Sequence, residues 1–193
     1  MAGDEFVAYL QDGRTDGLTP AGVDLVVAGA EPATDLMIPA VAVTEGDPVP
    51  ATVRILAPGQ AGTDGADSVG GDGAEVPGGT VHVVLLGPDG PVELPGAAEI
   101  SVDVGQVIDV PLGDLPPGDY TAWVTSDLPV VAGALTSRPG RGETADGGAP
   151  VERAWSPAVA GGLSGPLALP GDEPGRLVLG AAPTQGGTGP VRA

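Results

Sequence analysis

The sequence predicts an all-β protein with the antiparallel, immunoglobulin-like β-sandwich as its fold class. Short apolar runs alternate with polar residues at a period of two, as half-buried strands do. Turn sequences rich in glycine, proline and aspartate separate these runs. No stretch shows the i, i+3, i+4 spacing of an amphipathic helix, which favours layers built from strands alone. A propeller blade is the alternative, but a repeat of about 120 residues is long for a blade.

The strongest strand signal is LPPGDYTAWVTSDLPVVAGA, which spans residues 115–134. In its first run Tyr120, Ala122 and Val124 fall on one face, and the alternate residues fall on the other. The four residues SDLP, 126–129, separate this run from a second apolar run. We therefore expect two successive strands here, with a corner before Tyr120 that the tyrosine packs under.

Four further strands are predicted between residues 45 and 114, at 52–57, 80–86, 99–104 and 107–112. Their alternation predicts one buried core that contains Ile100, Val102, Val104, Ile108, Val110, Tyr120, Ala122 and Val124. The Gly- and Asp-rich segments 58–79 and 137–150 are expected to be loops.

An internal repeat is suggested by several short matches that occur in the same order. FVAYLQ at 6–11 resembles YTAWVT at 120–125, LMIPAVA at 36–42 resembles AWSPAVA at 154–160, and VRILAP at 53–58 resembles RLVLGAAP at 176–183. Chance similarity among segments rich in Val, Ala, Gly and Pro is the alternative.

If the repeat is real, residues 1–44 end one unit, 45–162 form a complete β-sandwich unit, and 163–193 begin a third with a loose tail. The chain would then be a piece of a longer protein. A lone strand cannot satisfy its own backbone groups, so we expect the orphan strands at the two ends, 6–10 and 23–28 at the start and 177–181 at the end, to pair in a composite sheet.

The charge and composition exclude several classes of partner and chemistry. A formal charge of -19, with 26 acidic residues against seven basic ones, argues against nucleic-acid binding. The absence of cysteine excludes disulfides, cysteine–zinc sites and thiol catalysis. No apolar stretch is long enough to insert in a membrane, and the opening MAGDEFVAYLQDG carries no signal peptide.

We find no residue pattern that predicts catalysis, a metal or a cofactor. His82 is the only histidine, and Ser164, its possible nucleophile in a hydrolase, lacks the G-x-S-x-G elbow. We therefore expect His82 at the surface or rim of a strand. The acidic segment 64–75 fails the spacing of a calcium loop, and the glycine clusters lack the helix and lysine of a phosphate loop.

Trp123 and Trp155 are the candidate interaction residues. Both could pack at the edge of the core or between units. The alternative is an exposed aromatic platform for a sugar or a partner protein.

The L-P-P-G-D-Y corner at 115–120, with SDLPVVAGA and the later AWSPA, resembles an uncharacterised family of exported actinobacterial proteins. That family is built from β-sandwich repeats and is known only as a domain of unknown function. The resemblance covers most of residues 20–183 and brings no catalytic residue with it. It implies an extracellular or cell-envelope location, and an envelope protein or polysaccharide as partner.

The resulting hypothesis is a non-enzymatic structural or interaction module. A carbohydrate-binding module that uses an exposed tryptophan is the first alternative, and a hydrolase is the second.

Overall fold

The computed structural model describes residues 9–16, 19–47, 49–58, 78–142, 147, 149–159 and 178–181. Within these ranges the chain is all-β, and every strand pairing is antiparallel. The strands are β1 (Tyr9–Asp16), β2 (Thr19–Val27), β3 (Ala33–Val43), β4 (Thr52–Leu56), β5 (Gly78–Gly87), β6 (Gly90–Glu93), β7 (Ile100–Asp103), β8 (Val107–Pro111), β9 (Gly118–Pro139) and β10 (Val151–Pro157).

A single long strand, β9, organises the fold. Its first half pairs with β3 and β5, and its second half pairs with β4 and β10. The strand order β6-β5-β9-β4-β8 runs through it, and β7 adds to β5. The first half of β9 and the strands β3, β5, β6 and β7 form a curled half-barrel. Because β9 continues into the other half of the sheet, the two halves form one eight-stranded sheet. The all-β, antiparallel part of the fold prediction is thereby confirmed, and the immunoglobulin-like sandwich stays a prediction.

The expected break at 126–129 is wrong, because β9 continues through it for 22 residues. The four residues do interrupt the ladder with β3, where Ala33 pairs with Val130 and Asp35 already pairs with Thr125. The Asp and Pro in SDLP therefore mark an irregularity at which β9 passes from one half of the sheet to the other. They do not mark a turn between two strands.

The core lies where the two halves of the sheet face each other. Of the eight predicted core residues, Val102, Val110, Tyr120, Ala122 and Val124 are buried, Ile100 and Ile108 pack against the core while partly exposed, and Val104 is half-buried. Residues of β3 belong to the same core, since Leu36, Ile38 and Val41 are at most 1% exposed. The predicted strands at 52–57, 80–86, 99–104 and 107–112 correspond to β4, β5, β7 and β8.

The corner before β9 is tied down as the sequence predicts. The Tyr120 hydroxyl donates to the carbonyl oxygen of Pro116 at 2.8 Å, and its ring is 5% exposed. Gly87 lies against this ring, where an added Cβ would come 3.0 Å from Tyr120 Cε1. A glycine at that position leaves room for the aromatic ring beneath the corner.

Two loop predictions need correction at their ends. Gly78 and Gly79 belong to β5, and residues 137–139 are still part of β9. In both cases strand pairing continues into glycine- or proline-containing sequence, because the partner strands β7 and β10 supply the ladder. Residues 59–77 lie outside the described residues.

The two-stranded sheet at the start of the chain is not the composite that the repeat predicts. β1 pairs with β2 as a hairpin, from Tyr9 opposite Val27 to Asp16 opposite Thr19. Residues 178–181 are not in a strand and lie against β9, where a Cβ on Gly180 would come 2.3 Å from Thr121 Oγ1. The strand β2, which follows β1 directly in the sequence, pairs with β1, so β1 does not require pairing with a distant segment. Phe6 and Leu177 lie outside the described residues.

Candidate functional site

Trp155 lies where the β1–β2 hairpin packs against the main sheet. It stands on β10 opposite Leu135 of β9. Its indole Nε1 donates to Oδ2 of Asp12 at 2.8 Å, and its backbone N–H donates to Oδ2 of Asp24. Asp12 and Asp24 face each other across the hairpin ladder, so both carboxylates project from one face onto Trp155.

Arg54 lies over the ring of Trp155. Its guanidinium carbon lies 5.6 Å from the centre of the Trp155 ring, within the range of a cation–π interaction. Its Nε and Nη2 donate to the two carboxylate oxygens of Asp109 at 2.8 Å each. These hydrogen bonds lower the pKa of Asp109 below its ordinary value of 3.8, and they raise the pKa of Arg54.

Arg153 completes the cluster from a largely buried position. Its side chain is 11% exposed, and its Nη2 lies 3.9 Å from Oδ2 of Asp12. Its buried Nε has no hydrogen-bond partner among the described residues. The Asp12 carboxylate therefore accepts the hydrogen bond of the indole N–H and also lies close to the positive charge of Arg153. We name the set Asp12, Asp24, Arg54, Arg153 and Trp155 the Trp155 junction.

Trp123 stands apart from this junction, on the first half of β9. Its ladder neighbours are Met37 of β3 and Val84 of β5, and its Nε1 donates to Oδ1 of Asp35 at 2.9 Å. Both tryptophans are half-buried. The fold does not bring them together, because they belong to different halves of the sheet. A single aromatic platform that uses both is therefore not formed.

The residues weighed for catalysis or metal binding are not assembled into a site in the described part of the chain. His82 is half-buried on β5, and its Nδ1 contacts the carbonyl oxygen of Ala98. Ser164 and the acidic segment 64–75 lie outside the described residues. Within the described ranges no three His, Cys, Asp or Glu side chains are grouped as a metal would require.

No helix within the described ranges is long and apolar enough to cross a bilayer.

An exposed apolar face on the hairpin was missed by the sequence prediction. Tyr9, Val23, Leu25 and Val27 are 60–67% exposed, and the ladder register places them on one side of the hairpin. Asp12 and Asp24 occupy the opposite side and contact Trp155 there, while Leu10 on that side is 64% exposed. The alternation in VDLVV, residues 23–27, carries this signal, since Asp24 separates two apolar residues that face outward.

These contacts define the class of protein. It is an all-β protein in which carboxylate, guanidinium and indole groups join the β1–β2 hairpin to the main sheet. The family model called DUF5719, a family of unknown function, matches residues 3–192, and the chain belongs to this family. The expected resemblance to a family of unknown function is thereby confirmed. No curated protein matches the chain.

Two solved structures are similar to parts of the chain. The structure described as Thermotoga maritima 1070 is 14% identical, with a TM-score of 0.43, over 66% of this chain and 93% of that one. The sensory rhodopsin transducer of Anabaena is 18% identical, with a TM-score of 0.37, over 54% of this chain and 96% of that one. At these scores neither similarity establishes a shared fold.

Proposed function

We propose that the chain is a non-enzymatic interaction module of an exported, envelope-associated actinobacterial protein. Its binding surface is the outer face of the β1–β2 hairpin, formed by Tyr9, Val23, Leu25 and Val27. The observation that carries the proposal is the 60–67% exposure of these four apolar side chains on one face. Contiguous exposed apolar surface marks protein-interaction sites more often than scattered apolar residues do.

The Trp155 junction supports this proposal because it fixes the hairpin from behind. A two-stranded hairpin is marginally stable alone in water. Here two carboxylates on its inner face reach Trp155 and Arg153 on the main sheet. The two hairpin carboxylates of the junction, Asp12 and Asp24, are therefore engaged within the chain, and the apolar groups of the outer face remain available to a partner.

The three-part division at residues 44 and 162, the immunoglobulin-like repeats and the extracellular location belong to the same proposal. An envelope protein built from such units would use the hairpin face to contact a neighbouring unit or a second protein of the envelope.

The experiment is a binding assay on actinobacterial envelope fractions. We expect the wild-type chain to sediment with the fraction, and to lose binding after the fraction is treated with protease. The Leu25→Ser/Val27→Ser variant should bind at least about tenfold more weakly, since two apolar contacts are lost. Asp89→Ser, in the exposed β5–β6 turn, is the matched control and should bind as wild type. Undiminished binding by the double variant contradicts the proposal.

Carbohydrate binding at Trp123 is the second candidate. Its half-buried indole lies on the same face of the sheet as His82 and Thr125, whose polar groups suit a sugar. In the same assay, binding that survives protease, is lost after glycosidase treatment and requires Trp123 would favour this candidate. Trp123→Phe keeps an aromatic side chain but removes the indole N–H, and so tests whether the bond to Asp35 matters.

A further inference from the structure

Two consecutive strands, β7 and β8, leave an open seam in the sheet. Only residues 104–106 connect them, a length that usually joins paired strands. Here β7 pairs with β5 and β8 pairs with β4, and no pairing between β7 and β8 exists in the described residues. Within the part of the chain that the structure describes, each strand therefore has one unpaired edge, on the side away from β9.

A cleft of about 290 Å³ lies between the two strands. Ile100 of β7 and Ile108 of β8 line it, and both pack against the core while remaining partly exposed. The turn residues Leu94 and Ala97 and the residue Leu112 form its inner wall, and each is at least 92% buried. The cleft is thus an apolar slot between two strand edges.

The backbone of β8 is oriented for strand addition. Leu112 N–H donates to the carbonyl oxygen of Ala51, and Ala57 N–H donates to the carbonyl oxygen of Gln106. The residue pairs at both ends of the β4–β8 ladder are therefore hydrogen-bonded pairs. The alternation of an antiparallel ladder then directs the amide groups of Ile108 and Val110 toward β4. The amide groups of Val107 and Asp109 face the open edge. Val107 is 52% exposed, so this edge is accessible.

The charge at the seam selects for a basic partner. Among the described residues, the charged ones that line the cleft are Asp109 and Asp114, and none that lines it is basic. Asp109 forms an ion pair with Arg54, so Asp114 is the lining carboxylate that can attract a ligand. Glu99 and Asp103 add exposed negative charge on the β7 side. A second copy of this chain fits poorly, because 26 acidic residues against seven basic ones make two copies repel.

We propose that the seam between β7 and β8 binds an extended, basic peptide segment of another protein, which adds as a strand to the free edge of β8. An apolar side chain of the segment occupies the cleft between Ile100 and Ile108, and a Lys or Arg lies at Asp114. Main-chain hydrogen bonds supply affinity in this mode, and the pocket and carboxylate supply specificity. This site is separate from the hairpin face, so either proposal can fail without the other.

The test uses the full chain and three fluorescent octapeptides, measured by anisotropy. The first alternates Val with Lys, the second alternates Val with Glu, and the third is the Val–Lys peptide with alternate backbone amides N-methylated. We expect the first to bind, with affinity that falls as salt rises, and the other two to bind weakly. Equal binding of the Lys and Glu peptides, or of the methylated one, overturns the proposal. Failure of the first peptide to bind at millimolar concentration also overturns it.

Two variants locate the binding. Val107→Pro removes the outward N–H at the first residue of β8, where proline is tolerated, and Val107→Thr is its control. We expect Val107→Pro to weaken binding about 2- to 10-fold, the range of one hydrogen bond. Asp114→Asn should reduce the salt dependence, while Asp89→Asn should not. Unchanged binding in both Val107→Pro and Asp114→Asn contradicts the site, as does self-association of the chain through this edge. Far-ultraviolet circular dichroism verifies that each variant is folded.

Discussion

The indole N–H of Trp155 donates to a carboxylate oxygen of Asp12 at 2.8 Å across 143 positions of sequence. This bond joins β10 of the main sheet to β1 of the hairpin, and Asp24 repeats the connection from β2 through the Trp155 backbone. Trp155, a candidate binding residue, thus holds the surface that we propose binds a partner.

Asp12→Ala should loosen the hairpin without unfolding the sheet. The change leaves the Trp155 N–H without its acceptor and Arg153 without its nearby carboxylate, at a cost of about 1 to 3 kcal/mol. Amide hydrogen exchange in β1 and β2 should accelerate by about tenfold or more, with little change in β5. Asp35→Ala, which removes the acceptor of Trp123, is the matched control and should leave hairpin exchange unchanged. Equal exchange in the two variants would show that the junction does not hold the hairpin.

Val124→Asp should unfold the main sheet. Val124 is 0% exposed in the first half of β9, and its replacement by a carboxylate removes about 1.5 to 3 kcal/mol of burial and adds an unpaired buried charge. Val27→Asp makes the same chemical change at a site that is 64% exposed, and should alter stability by less than about 0.5 kcal/mol. Thermal denaturation followed by circular dichroism compares them. A Val124→Asp protein that keeps the wild-type midpoint would mean that the strand faces are assigned incorrectly.

Tyr120→Phe tests the corner before β9. The variant keeps the buried ring and loses only the hydrogen bond to Pro116, so the free energy of unfolding should fall by about 1 kcal/mol. Tyr9, the other tyrosine, is 67% exposed, and Tyr9→Phe should change nothing measurable. Urea denaturation gives both values. Identical urea midpoints for the two variants would contradict the claim that the Tyr120 hydroxyl stabilises the fold.

The ion pair of Arg54 and Asp109 should contribute a pH-dependent part of the stability. Because the pKa of Asp109 is lower in the fold than its ordinary 3.8, its contribution is complete above that value. The contribution is lost as the pH falls through the lower pKa of the folded protein. Both side chains are about half exposed, so the effect at neutral pH is small, on the order of 0.2 to 1 kcal/mol.

Asp109→Asn should therefore be less stable than wild type at pH 7, and the difference should shrink below pH 3.8. Asp89→Asn, in an exposed turn, serves as the control at each pH. A difference for Asp109→Asn that stays constant down to pH 2 would show that Arg54 does not depend on the ionised carboxylate.

Local alternation was sufficient to predict β4, β5, β7 and β8, and to assign most of the core. It failed at 126–129, because whether Asp and Pro end a strand depends on the strands that pair beside them. The pairing of β1 with β2 was not predicted, since the Gly- and Thr-rich sequence between residues 12 and 22 carries no apolar alternation. The Trp155 junction could not be predicted, because its carboxylates come from residues more than 130 positions away. No local pattern encodes such a pairing.

The most direct measurement of the central claim places a reporter on the hairpin face. The chain contains no cysteine, so Leu25→Cys and the control Asp89→Cys can each carry one environment-sensitive fluorophore. On addition of solubilised envelope proteins, we expect the label at position 25 to shift to shorter wavelength and become protected from an aqueous quencher, while the label at 89 stays unchanged. A label at position 25 that remains open to quencher while the chain is bound would contradict the proposal that this face is the interaction surface.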